Sequence, residues 1–241
     1  DTFTVETNSS ERLRVTGIGS VGIGDASPEN TLTIKNIGSF EGDANSFYFG
    51  SNFTGTGTKF IGSGKHAQRF FLNNASANGY LRYDNTGTTG NAGDTITWQE
   101  RFRITSTGGF HFNNGELIER AKVTAGKLSD NANIDLENGM VHLFTTAEST
   151  TSTPNIRVSS STSLNSVMAT GDTIAVTIIT TAAAAGYSAQ LTIDGSAVTE
   201  NWVGGSAPSS GGSSGVDIYN YTIIKTADAT FTVVANYTAT S

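Results

Sequence analysis

Apolar and polar residues alternate along several stretches of the second half of the chain, which is the pattern of half-buried β-strands. The clearest stretch covers residues 172–179, where isoleucine and valine alternate with smaller or more polar side chains. Comparable stretches occupy residues 140–144, 187–193, 217–225 and 230–237. Short turns separate them, and Asp194-Gly195 is a strong hairpin signal. The pattern predicts an antiparallel, jelly-roll-like β-sandwich over residues 121–241.

The first half of the chain contains an internal repeat in which each copy has the pattern of a strand, a glycine-containing turn and a second strand. The matched segments are 1–5 with 94–98, 11–16 with 100–105, and 19–23 with 108–112. Two copies about 90 residues apart are not a solenoid. They predict one hairpin module that is used twice.

The repeat suggests how the first half is organised. We expect fibre-like β-hairpin modules over residues 1–36 and 94–120, with a small inserted β subdomain over residues 37–93. Each module offers only two or three large apolar side chains per strand, which is too few for an independent core. Because copies from other chains would supply the opposite face, the sequence predicts a homotrimeric β segment.

The amino-acid composition narrows the fold class and excludes several kinds of site and partner. Only 15% of the residues are charged, against an average of about 25%, and this favours an all-β chain with polar, uncharged strand faces. The absence of cysteine excludes disulfide scaffolds, cysteine zinc sites and thiol catalysis. The net charge of −7 argues against a nucleic-acid partner. No apolar run approaches about 18 residues, so membrane insertion is not expected.

The first copy of the repeat carries a recognisable motif. It consists of Arg12-Leu13-Arg14-Val15, the glycine-rich residues 19–24, Pro28 and Leu32-Thr33-Ile34. This motif resembles a segment common in the tail-fibre proteins of tailed bacteriophages, although Asp25 stands where threonine is usual. The resemblance implies a virion structural protein on the tail or another surface appendage.

The second half carries a resemblance of its own. It is similar to a C-terminal module of structural proteins from marine and cyanobacterial phages, through residues 201–205, Pro208 and residues 217–225. The resemblance again implies other virion structural proteins as partners.

The remaining motifs favour a protein with no enzymatic activity, no cofactor and no metal. Residues 17–22 match G-x-G-x-x-G, but a strand and a turn follow where a dinucleotide site needs a helix. The carboxylate pair Glu116 and Glu119 lies in a polar, turn-like segment, as does the pair Glu41 and Asp43, which indicates solvation rather than glycoside hydrolysis.

The histidines give one alternative to a metal-free chain. His66, His111 and His142 are far apart in sequence and form no H-x-H or H-E-x-x-H motif. Three copies of His111 could nevertheless meet on a threefold axis and bind a metal. A solvated or core-edge histidine is the simpler interpretation.

The aromatic residues near the end of the chain are the candidate contact surface. Trp202 borders a loop rich in serine and glycine over residues 206–215, and Tyr219 and Tyr221 follow on the next predicted strand. Exposed Trp and Tyr stack on sugar rings, so they would suit a host-surface glycan, with Asp217 as a polar contact. The alternative is a tryptophan packed beneath the loop.

Together these features predict a trimeric tail fibre or similar appendage that attaches a virion to the host surface. Two alternatives stay open. One is a head- or neck-attached decoration protein that binds other virion proteins, and the other is a polysaccharide-degrading tailspike.

Overall fold

The computed structural model describes residues 1–28, 32–34, 38–43, 46–53, 59–73, 79–113 and 115–240. The chain divides into two compact units, the N-terminal unit Asp1–Leu117 and the C-terminal unit Ile118–Ser241. Strands dominate both units, and the helical residues within the described ranges are a one-turn α-helix, α1, at Leu164–Val167 and a 3-10 turn at Leu136–Asn138. The predicted all-β class is confirmed.

The strands of the N-terminal unit form one sheet in which each strand pairs with its neighbours in the sequence. They are β1 Phe3–Thr7, β2 Ser10–Val15, β3 Val21–Ile23, β4 Leu32–Ile34, β5 Gly38–Asp43, β6 Ser46–Ser51, β7 Gln68–Asn73, β8 Tyr80–Asn85, β9 Gln99–Thr105 and β10 Phe110–Phe112. Every pair is antiparallel except β3 with β4. The region predicted as an inserted subdomain is therefore not set apart, because β5 to β8 are the middle of this sheet.

The two copies of the repeat form hairpins with the same register. Leu13 pairs with Ile23 in the first copy, as Phe102 pairs with Phe112 in the second. The turns also match, since Gly19 and Gly108 both have a positive φ, of 89° and 83°. A glycine adopts this conformation without the steric cost that a Cβ atom adds. The earliest segment of the repeat differs, because residues 3–7 form β1 whereas residues 94–98 lie in a loop.

A small hydrophobic cluster packs against one face of the N-terminal sheet. Its buried members are Phe53, Phe60, Ala67 and Ile96, with Tyr48 and Trp98 packed against them. The rings of Phe53 and Trp98 meet edge to face with their centroids 5.6 Å apart. Isolated backbone bridges join the two loops that supply the cluster, at Lys59 with Thr95 and at Lys65 with Gly90.

The C-terminal unit consists of two sheets around one larger core. Its strands are β11 Lys122–Thr124, β12 Asn133–Asp135, β13 Val141–Ala147, β14 Asn155–Arg157, β15 Thr173–Thr181, β16 Thr192–Ile193, β17 Ser196–Ala197, β18 Glu200–Trp202, β19 Val216–Ala227 and β20 Thr230–Ala239. The larger sheet has the order β11-β13-β15-β19-β20-β18, and the smaller has the order β12-β14-β16-β17. Ile134 and Ile156 from the smaller sheet pack in one core with Phe144, Ile178 and Ile223 from the larger.

Both sheets of the C-terminal unit mix parallel and antiparallel pairs, whereas the sequence predicts antiparallel pairs alone. β13 runs parallel to β11 and to β15, and β14 runs parallel to β12 and to β16. These pairs arise because the connections between them cross to the other sheet and return. Of the strand predicted over residues 187–193, only the last two residues form a strand, β16.

Candidate functional site

The loop between β18 and β19 is the part of the C-terminal unit that the sequence marks as a contact surface. Most of its residues are exposed, and Val203 at its start is 62% exposed. Backbone hydrogen bonds tie its far end to the chain after β15, from Gly211 to Ala184 and from Ala182 to Gly215, each 3.0 Å long. The loop is therefore a surface feature on a fixed base.

Gly211 shows why this base requires glycine. A Cβ atom at this position would overlap the carbonyl oxygen of Ala183 and crowd the carboxylate of Asp217. The close approach of the two chain segments leaves no room for a side chain.

Asp217 is an internal anchor of the loop. Its carboxylate is fully buried and accepts a hydrogen bond from Gly212 N, at 3.0 and 3.1 Å to its two oxygens. The hydroxyl of Tyr237 donates a second hydrogen bond at 3.0 Å. The prediction that Asp217 is a polar surface contact is wrong, because the loop closes over the carboxylate.

Tyr219 and Tyr221 are also buried, so they form no exposed aromatic platform. Alternate residues of β19 face the core, and both tyrosines belong to the inward set. The Tyr219 hydroxyl accepts a hydrogen bond from Ser188 N at 3.2 Å. The sequence correctly places the two side chains on one face, but the prediction that this face is the outer one is wrong.

Trp202 is neither fully buried nor fully exposed. It is half-buried at the end of β18, and it packs against the core of the unit. Its ring meets that of the buried Tyr221 edge to face, with the centroids 6.4 Å apart. Trp202 thus supports the start of the loop from beneath and leaves part of its surface beside the exposed Val203.

The buried tyrosines predict that the C-terminal unit loses stability in alkaline solution. Burial raises the pKa of Tyr219 and of Tyr221 well above the ordinary value of 10.0, and raises the pKa of Tyr237 to about 12. Above pH 10 the unfolded chain therefore releases protons that the folded chain retains, and the free energy of unfolding falls as the pH rises further. Urea unfolding at a series of pH values should show this decline, and a constant stability from pH 8 to 11 would contradict it.

A polar groove of about 480 Å³ lies between β11 and β12, the neighbouring edges of the two sheets. Its polar lining residues are Lys122, Thr124, Asn131, Asn133, Asp135, Asn138 and His142. The buried His142 has its Nε2 atom 3.0 Å from the carbonyl oxygen of Gly139. Burial lowers the pKa of His142, which favours the neutral imidazole. No local pattern in the sequence predicts this groove, because these residues come together only in the folded chain.

The carboxylates and histidines considered as catalytic or metal-binding candidates lie in different surroundings. Glu119 accepts a hydrogen bond from Met140 N at 2.8 Å, while Glu116 is exposed. His66 lies 2.9 Å from the carbonyl oxygen of Thr86, and His111 is exposed on β10. The side chains of Glu41 and Asp43 lie outside the described residues.

Three further observations concern the part of the chain that the structure describes. Residues 17–22 form the turn between β2 and β3 and the start of β3, so no helix follows the glycine motif there. No three side chains of His, Asp or Glu gather there in a group that could hold a metal ion. None of its helices is long and apolar enough to span a membrane.

Comparisons with family models, curated proteins and solved structures gave no match. The fold and the surfaces described above define an all-β protein of two units. One unit is a single sheet with a small core, and the other carries a long anchored loop.

Proposed function

We propose that the chain is a structural protein of a bacteriophage virion, and that it forms a trimeric tail fibre or similar appendage that attaches the virion to its host. The observation that carries this proposal is the small core of the N-terminal unit. Among the residues whose side chains the structure describes, its cluster has four buried members for ten strands, whereas the core cluster of the C-terminal unit has fifteen. A sheet of this size with so small a core is suited to assembly with other chains.

The repeated hairpin supports the same proposal. The two copies share their register, their turn and an ion pair at matched positions, Glu11 with Arg14 and Glu100 with Arg103. The copy at residues 11–23 is part of the segment that resembles phage tail-fibre proteins.

The loop between β18 and β19 is the proposed contact surface for the host. Loops held by a rigid scaffold can vary without a cost to the core, and long ordered loops are often functional. Three copies in a trimer would present three loops to a repetitive, glycan-bearing surface, so that weak contacts add up to firm attachment. With the two tyrosines buried, Trp202 and Val203 are the large hydrophobic side chains at the start of this loop.

Microscopy of virions labelled with an antibody against the chain tests the location. Label at the tail or its appendages is the expected result. Label on the head or neck would favour a decoration protein, and absence of label would overturn the proposal.

A zymogram tests whether the chain degrades polysaccharide. Because the proposed role is non-enzymatic, a zymogram on host surface polysaccharide should show no cleared zone. Clearing would favour a tailspike hydrolase.

Adsorption measurements test the loop. Val203→Ser should reduce attachment to host cells while leaving thermal unfolding unchanged, because Val203 is 62% exposed. The matched control is Val167→Ser in α1, since Val167 is 61% exposed and lies in a different part of the sequence. Equal adsorption by the two variants would remove the loop from the contact surface.

A further inference from the structure

One face of the N-terminal sheet carries a row of apolar side chains over β6 to β10, with one member on each strand. Neighbouring members are direct partners in the strand register, and residues paired in this way lie on the same face of a sheet. The row consists of Phe49, Phe70, Tyr83, Phe102 and Phe112. A shorter row of the same kind, Phe3, Val15, Val21 and Leu32, crosses β1 to β4.

A second row runs beside the first over the last five strands. Its members are Phe47, Leu72, Leu81, Ile104 and Phe110, and each is again the direct partner of the next. Over β6 to β10 the two rows form a surface of ten side chains, here called the apolar ribbon. Ring contacts hold it together, with centroids 5.1 Å apart for Phe49 and Phe70 and 5.4 Å apart for Phe102 and Phe112.

Much of the apolar ribbon is exposed. Six of its ten side chains are between 38% and 64% exposed, namely Phe47, Phe49, Phe70, Leu72, Phe110 and Phe112. Given 150–250 Å² for an aromatic side chain, these six present on the order of 500 Å² of apolar surface. With the four half-buried members, the ribbon exceeds the isolated patches of ordinary monomers and approaches the roughly 800 Å² that one partner contributes to a stable interface.

The opposite face of the same strands is already occupied. Arg69 and Asp84 are buried there in an ion pair of 2.9 Å, and the guanidinium of Arg69 lies 4.3 Å from the centroid of Trp98. Arg82 joins the same carboxylate, and it also lies 4.7 Å from the ring centroid of Phe71. Among the described residues, the apolar ribbon is thus the more exposed face of these strands.

The chemistry of the ribbon points to a second copy of the chain as its occupant. The ribbon has no charged member, whereas the whole chain carries a net charge of −7. Two copies repel each other least where they meet through an uncharged surface. An apolar face demands no matching of charges or hydrogen-bonding groups, so copies of the same face can pack against one another around a symmetry axis.

We infer that the N-terminal units of separate chains associate through their apolar ribbons, which pack against one another and enlarge the core of each sheet. This inference rests on the proposed function only for a stoichiometry of three. It identifies the surface and the partner of the self-association, and it holds whether or not the chain is part of a virion.

Sedimentation of the full-length chain and its variants tests the inference. The unaltered chain should sediment as a multiple of 25.1 kDa at micromolar concentrations. Leu72→Lys and Phe112→Lys place a charge in the ribbon, so each should raise the dissociation constant about tenfold or more. Ile61→Lys is the matched control, because Ile61 is 45% exposed, Leu72 is 43% exposed, and Ile61 lies outside the ribbon.

Leu72→Met separates a lost contact from a lost fold. It keeps an apolar side chain of similar size, so it should associate as the unaltered chain does. Far-ultraviolet circular dichroism should show equal strand content in all four variants. A monomer at every concentration overturns the inference, and so does an oligomer that the two ribbon variants leave intact. Failure to find the chain on virions overturns the proposed function and leaves the inference standing.

Discussion

Replacing Asp84 by Ala is expected to lower the free energy of unfolding of the N-terminal unit by about 3–5 kcal/mol. Asp84 is fully buried, and its carboxylate forms ion pairs with Arg69 at 2.9 Å and with Arg82 at 2.6 Å. Removing the carboxylate leaves two guanidinium groups close together with little access to water. The loss of one partner from a buried network costs far more than the loss of an exposed pair.

Chemical denaturation followed by the fluorescence of Trp98 measures this loss, because Trp98 packs against Arg69 within the same unit. A Trp202→Phe background removes the other tryptophan of the chain. Asp94→Ala is the control, since Asp94 is an exposed carboxylate of the same unit whose partner is the backbone N–H of Asn91. Equal free energies of unfolding for the Asp84 and Asp94 variants would show that the buried ion pairs do not stabilise the N-terminal unit.

Replacing Asp217 by Ala is expected to lower the free energy of unfolding of the C-terminal unit by about 3 kcal/mol. The change leaves Gly212 N and the Tyr237 hydroxyl without their buried acceptor. It should also release the loop between β18 and β19, because Gly212 is one of the points that fix its base.

Limited proteolysis separates these two effects. Cleavage within residues 206–215 should be faster in Asp217→Ala than in Asp228→Ala, whose carboxylate is exposed at the turn between β19 and β20. If the Asp217 variant were as stable and as resistant as the control, the carboxylate would not be the anchor of the loop.

The sequence was most informative where structure depends on local periodicity. The repeated hairpin could be predicted because its turn glycines and alternating residues lie within 13 residues of each other in each copy. The long strand of β15 could be predicted for the same reason, since Val176 and Ile178 are buried at a period of two. Such signals need no knowledge of distant contacts.

The candidate contact surface was harder to predict, because burial depends on what packs against a strand. Tyr219 and Tyr221 have the spacing of one strand face, but only the position of the smaller sheet decides that this face is inside. Asp217 appeared to be a surface residue because an isolated carboxylate seldom lies in a core. Its partner Tyr237 becomes a neighbour only after β20 has paired with β19, and Gly212 reaches the carboxylate only when the loop folds back over it.

The apolar ribbon could not be predicted from the sequence, for a different reason. Each of its strands carries only two of its members, so no single strand shows the whole surface. The ribbon emerges from the register of the successive pairs. A one-residue slip in any pair would move its neighbours to the opposite face.

The sequential order of the N-terminal sheet has a consequence for how the two units fold. Because each strand from β1 to β10 pairs with the one before it, the sheet can grow strand by strand as the chain emerges during synthesis. The C-terminal unit must wait, since β11 pairs with β13 and β18 pairs with β20. Its long pair of β15 with β19 joins residues as far apart as Val176 and Tyr221, and such non-local pairing slows folding. The N-terminal unit should therefore be structured first, with the C-terminal unit as the slower phase of refolding.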